Sequence, residues 1–88
     1  MKYQDAQWLK LVISQSKQLT SDLEKVSTAA KQNNYGELYN AGKRLQVDIG
    51  KFLVQSKKYK VSPKLKNAKS EYEYALADFK LVGKYTMD

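Results

Sequence analysis

Apolar or small residues recur at Trp8, Val12, Ser16, Leu19, Leu23, Val26 and Ala30, stepping by three or four without a break in phase. That period belongs to one face of an α-helix and predicts a helix over about 5–32. Ser21 with Glu24 resembles a capping box that could start a shorter helix, but the stripe crosses it in register, which favours one continuous element. In "QNNYGEL", Asn33 is suited to close that helix, while Asn34 as N-cap with Glu37 three residues on opens the next. Leu38, Ala41, Leu45, Ile49, Phe52, Ser56 and Tyr59 then carry the same spacing over about 35–58. Gly42 and Gly50 each cost this helix about 1 kcal/mol relative to alanine. Either they admit a neighbouring backbone or they are tolerated weak positions. Ser62 is a natural N-cap, Pro63 suits the first helical position, and Leu65, Ala68, Tyr72, Ala75, Phe79, Val82 and Thr86, widened by Leu76, predict a third helix over 63–86.

Helices of these lengths span on the order of 35 to 42 Å each. Joined by links of a few residues, they must run up, down and up. The expected architecture is an all-α, antiparallel three-helix bundle forming one domain over residues 1–88, with Trp8, Val12, Leu19, Leu23, Leu45, Ile49, Phe52, Tyr72 and Phe79 as its core. A chain of 88 residues has no surface to spare for a second core. At 42% hydrophobic and 28% charged, the composition is that of a folding chain. Nothing approaches an 18-residue apolar run and "MKYQDAQ" is not a signal peptide, so the chain reads as soluble, with a removed leader or an added Met1 left open.

Cysteine and histidine are both absent, which removes disulfides, thiolate nucleophiles, the usual acid/base near neutral pH and the commonest zinc ligand. No Gly-rich phosphate loop, metal-ligand spacing or Ser/His/Asp set is present, so no catalytic, cofactor or metal residue is assigned. Glu71 and Glu73 point to different helix faces, and Asp22, Asp48 and Asp78 are scattered singly. All read as solvated helix acids. The expected class is a non-enzymatic structural or interaction module.

Sixteen Lys and Arg against nine Asp and Glu give a net charge of +7, and Arg44 is the only arginine. Diffuse charge is thereby favoured over bidentate phosphate recognition. Lys51, Lys57, Lys58, Lys60, Lys64, Lys66 and Lys69 lie between Asp48 and Glu71 without an intervening acid. Because they span a turn, they should gather at one end of the bundle. There they form either a solvated basic end or a surface for nucleic acid, anionic lipid or an acidic polymer. The tyrosines could stack bases beside such lysines, but Tyr59 and Tyr72 fall on core stripes and Tyr35 with Tyr39 flank a helix start, so packing is the simpler reading.

The stretches "WLKLVISQSKQLTSDLEKVSTAA" and "YGELYNAGKRLQVDIGKFLVQSKKYKVSPKLKNAKSEYEYALADFKLVGKYT" together resemble an uncharacterised family of helical domains from methanogenic archaea, with "YKVSPKLKNAKSEYEYALADF" the most specific part. The resemblance implies a secreted or lipid-anchored setting, no assigned activity, and a further helix after "GKYTMD". The lipobox cysteine such proteins carry is absent from residues 1–88.

In "WLKLVI", Trp8, Leu9, Leu11, Val12 and Ile13 cover an arc of roughly 200°, wider than the roughly 100° stripe of an ordinary surface helix. Leu76, Leu81 and Val82 spread similarly around the third helix. Two partner helices should leave part of this surface uncovered, so Trp8, Leu9, Ile13 and Leu76 are expected to form a self-association face, filled by a second copy or by a partner's amphipathic helix.

Overall fold

The computed structural model describes residues 2–87, and the side-chain surroundings of residues 2–81. Val82 and Thr86, expected on the third stripe, lie outside the latter range. Helix α1 spans Asp5–Lys31, α2 Tyr35–Lys57 and α3 Pro63–Met87, within a residue of the spacing-based boundaries. Among the described residues there is no strand, and no helix is long and apolar enough to cross a membrane.

The first reversal is made by the two asparagines. Asn33 adopts a left-handed φ of 52°, donates to Ala30 O at 3.2 Å, and turns Asn34 N–H back to Ala29 O at 3.0 Å. These paired bonds satisfy two carbonyls that the end of α1 would otherwise leave bare. Asn34 Oδ1 then accepts from Glu37 N at 3.2 Å, opening α2 as its spacing predicts. Ser21–Glu24 starts no helix, because α1 runs through it.

The second connection closes the opposite end. Gln4 N donates to Lys60 O at 2.7 Å, and Gln4 Oε1 accepts from Lys60 N at 3.0 Å. Asp5 receives both Ser62 N (2.7 Å) and the Ser62 hydroxyl (2.6 Å). The hydroxyl predicted as an α3 cap is thus turned toward α1. These two donors, chiefly the hydroxyl, hold the Asp5 carboxyl below its ordinary range. The start of α1, the end of α2 and the start of α3 therefore meet at one end, which fixes the up-down-up course.

Leu45, Ile49, Phe52 and Leu76 form the buried cluster, with Leu19, Leu23, Val26, Leu53, Tyr72 and Phe79 packed against it. Helix α2 is central: it packs closely along both α1 and α3, whereas the α1 and α3 backbones hardly approach each other. The reason is side-chain size. Trp8 and Tyr72 meet edge to face between α1 and α3 with centroids 5.9 Å apart, and rings of this bulk keep two backbones apart. The result is an elongated body of 51 × 19 × 16 Å.

Of the expected core, Trp8, Leu45, Ile49 and Phe52 are buried, while Val12, Leu19, Leu23, Tyr72 and Phe79 are only half-buried. Ser16 and Ala30 are exposed; Gln15 and Ala29 take the buried positions beside them. Gly42 is buried, but a Cβ at Gly50 would meet only Lys80 Nζ at 3.9 Å, an ordinary contact with the end of a flexible side chain. Gly50→Ala should therefore stabilise the fold by about 0.5–1 kcal/mol, raising the thermal midpoint by a few degrees in a calorimetric scan.

Candidate functional site

Three polar features distinguish this bundle from a plain apolar one: a hydrogen-bonded network in the half nearest the α2–α3 connection, a carboxyl pair between α1 and α2, and a basic end. The layer begins at Trp8, whose indole Nε1–H donates to Ser56 Oγ at 3.0 Å. The Ser56 hydroxyl in turn donates to Glu73 Oε2 at 2.6 Å, and Lys69 Nζ donates to the same oxygen at 2.9 Å. Beside this chain, Tyr72 OH donates to Gln15 Oε1 at 2.7 Å, while Gln15 Nε2 donates to Gln55 Oε1 at 2.9 Å and Phe52 O at 3.2 Å. Each helix supplies donors and acceptors. Partial burial pushes the Glu73 carboxyl up, but the Ser56 hydroxyl and the Lys69 ammonium outweigh it and hold Glu73 below its ordinary range. Burial raises the Tyr72 phenol.

Glu73 is accordingly not the freely solvated acid expected from its spacing. Asp22 departs further, being only 1% exposed. Gln18 Nε2 donates to its Oδ1 at 3.0 Å, and Oδ2 meets no donor. Burial first, and then the Asp48 carboxyl facing it from α2, push Asp22 up to about 6. The solvated-acid reading of Asp22 is therefore corrected, and Asp48 is half-buried against it. A polar residue at the edge of a stripe looks solvent-facing along one helix. Only the facing helix reveals that it is enclosed.

The lysine-rich segment gathers as its position implies. Lys57, Lys58, Lys60, Lys64 and Lys66 are exposed around the α2–α3 connection, whereas Lys51 sits about 9 Å farther along α2. Lys69 is half-buried in its ion pair with Glu73. Val61, between Lys60 and Lys64, is buried. Outside it lies a concavity of about 230 Å³ lined by Tyr3, Tyr59, Pro63, Lys60, Lys66 and Lys69. Tyr59 is half-buried and Tyr35 and Tyr39 are exposed. A wider open groove of about 560 Å³ runs between α1 and α2 near the asparagine turn, with Lys25 on one wall and Arg44 on the other.

The residues expected to form a self-association face divide. Trp8 and Leu76 are buried within the chain, Trp8 by Ser56 and Tyr72, Leu76 by Leu45, Ile49 and Phe52, so neither is available to a partner. Leu9 and Ile13 remain outside, 47% and 58% exposed. Gln15 and Asp22 mark the flank of α1 turned to α2, and at about 100° per residue Val12, Leu23, Leu9 and Ile13 follow in order away from it. They border the seam between α1 and α3. On the same two helices Leu19, Leu23, Val26, Tyr72 and Phe79 pack against the core cluster and are only half-buried.

Ser56→Ala should leave the Trp8 indole N–H and one Glu73 oxygen without their shared hydroxyl, costing about 1–3 kcal/mol in urea unfolding. By carboxyl NMR the same change should move Glu73 up toward its ordinary value. Because Glu73 is lowered in the fold, its contribution to stability is present above its ordinary value of 4.5 and is lost as pH falls below it.

Comparison with protein-family models, with curated proteins and with solved structures returns no match for this chain.

Proposed function

We propose that this protein is a non-enzymatic interaction module whose working surface is the α1–α3 seam, covered by a second copy of the chain. The observation that carries this reading is the set of half-buried apolar side chains on α1 and α3, continued outward by exposed Leu9 and Ile13. A contiguous apolar strip of this kind is unusual on a monomer and marks an association surface. The rims favour a like partner. By helical phase Lys10 and Lys17, with Glu24 between them and Ile13, flank the α1 side, while Glu71 and Asp78 flank the α3 side, and all five are exposed. A two-fold axis that lays α1 of one copy against α3 of the other brings lysines opposite acids despite the net charge of +7. The archaeal resemblance adds an extracytoplasmic setting to this proposal.

A second reading rests on the basic end. There Tyr3, Tyr59 and Pro63 give a small apolar floor beside Lys60 and Lys66, which suits an anionic polymer or lipid surface. A hydrolytic or transfer activity abolished by a single acid-to-amide change would overturn the non-enzymatic assignment common to both readings.

Light scattering after gel filtration at tens of micromolar should report at least a dimer, shifted toward the 10.1 kDa chain by Leu9→Gln with Ile13→Gln. A clean monomer in the unaltered protein contradicts the seam reading. Replacing Lys57, Lys58, Lys60 and Lys64 with Gln should leave association intact. If the basic end is a binding surface, that variant loses low-salt retention on DNA, RNA or anionic vesicles and its salt dependence flattens.

A further inference from the structure

We propose that Asp22 and Asp48 together form a proton-binding site that clasps α1 to α2 in acid and loosens that contact as pH rises. Asp22 is 1% exposed, its Oδ1 is taken by Gln18 Nε2 at 3.0 Å, and its Oδ2 lacks any donor. A buried carboxylate oxygen left in this state is costly, and the natural donor is missing only because carboxylates carry none when ionised. The side chain facing it from α2 is another carboxyl, Asp48. One proton held between them converts a repulsive pair into an O–H donor and an acceptor. It satisfies the orphaned oxygen and removes one of two like charges in a single step.

The surrounding charges do not replace that proton. On α1, Lys25 offers Asp22 only a weak opposing attraction, the last of the influences on it, and Gln18 is neutral. On α2, Arg44 lies one turn before Asp48 and lines the open groove together with Lys25. Helix α3 presents Leu76 and Phe79 to the core, and its Lys80 lies over Gly50 on the other flank of α2. Asp22 is pushed up to about 6 from 3.8, in agreement with a site that fills in mildly acidic solution.

The sign follows from the raised value in the fold. Between about 4 and 6 the folded chain holds a proton that the unfolded chain releases, so this pair's contribution is full below that window and lost as pH climbs through it. Asp5 and Glu73, both lowered, act in the opposite sense and below it. Stability should therefore peak near the lower edge of the window. Loosening above it affects the α1–α2 contact that walls the groove of about 560 Å³.

The test is a carboxyl-detected NMR titration of the whole chain with thermal melts at each pH, from about 3 to 8. One member of the pair should titrate near 6, and Asp48→Asn should return Asp22 toward the ordinary carboxylate range. The wild-type melting temperature should fall as pH rises through the window, whereas Asp22→Asn should melt higher than wild type at pH near 8 and lose that slope. If Asp22→Asn fails to fold, the wild-type titration and Asp48→Asn decide. Both carboxyls titrating near 4, or a wild-type slope retained in both variants, overturns the proposal. So does a rise in melting temperature with millimolar calcium or magnesium at pH near 8 that disappears in Asp22→Asn, since the site would then take a cation in place of a proton.

Discussion

The hydrogen-bond chain from the Trp8 indole through Ser56 to Glu73 is the constraint on which the arrangement of the three helices depends. Apolar stripes alone would let long amphipathic helices slide by a turn with little loss, because one leucine replaces another against a smooth partner. A buried N–H and hydroxyl bonded to a half-buried carboxylate tolerate no such slip, since each buried group left unpaired costs about 1–3 kcal/mol. Gln15 reinforces the register by joining Tyr72 on α3 to Gln55 and the Phe52 carbonyl on α2. Six side chains thereby tie all three helices together over about two turns of α1.

The same layer explains why the bundle is unevenly closed. To reach Ser56 and Tyr72, the Trp8 ring must stand between α1 and α3, and the two backbones cannot then approach as they both approach α2. At the end of the molecule the Asp5–Ser62 and Gln4–Lys60 bonds hold α1 to the α2–α3 connection, so the separation cannot relax by α1 swinging inward. Residues at the seam consequently bury one side only. The surface proposed for association is thus a by-product of the interaction that sets the register.

Helix positions were legible in the sequence because their determinants are local: three/four spacing, Asn33 and Asn34 at the reversal, and Pro63 at the start of α3. The gathering of Lys57, Lys58, Lys60, Lys64 and Lys66 was legible for the same reason, since residues around one turn share one end. What was hidden required a second helix. Gln15 and Asp22 sit at the edge of the α1 stripe, where a polar residue alone reads as solvated; the facing groups that enclose them come from residues 26 to 57 positions away. Trp8 and Leu76 failed as association residues through the converse ambiguity. An apolar side chain declares that it will be covered, but not whether its own chain or another will cover it.

The claim that the polar layer fixes the bundle is tested most directly by hydrogen exchange at the Trp8 indole N–H. If this bond is built into the register of all three helices, the indole proton exchanges only through global opening, with a free energy matching the amides of Leu45 and Ile49 in the core. An indole proton that exchanges well before those amides would show that the layer opens while the bundle stays intact, and would contradict the account.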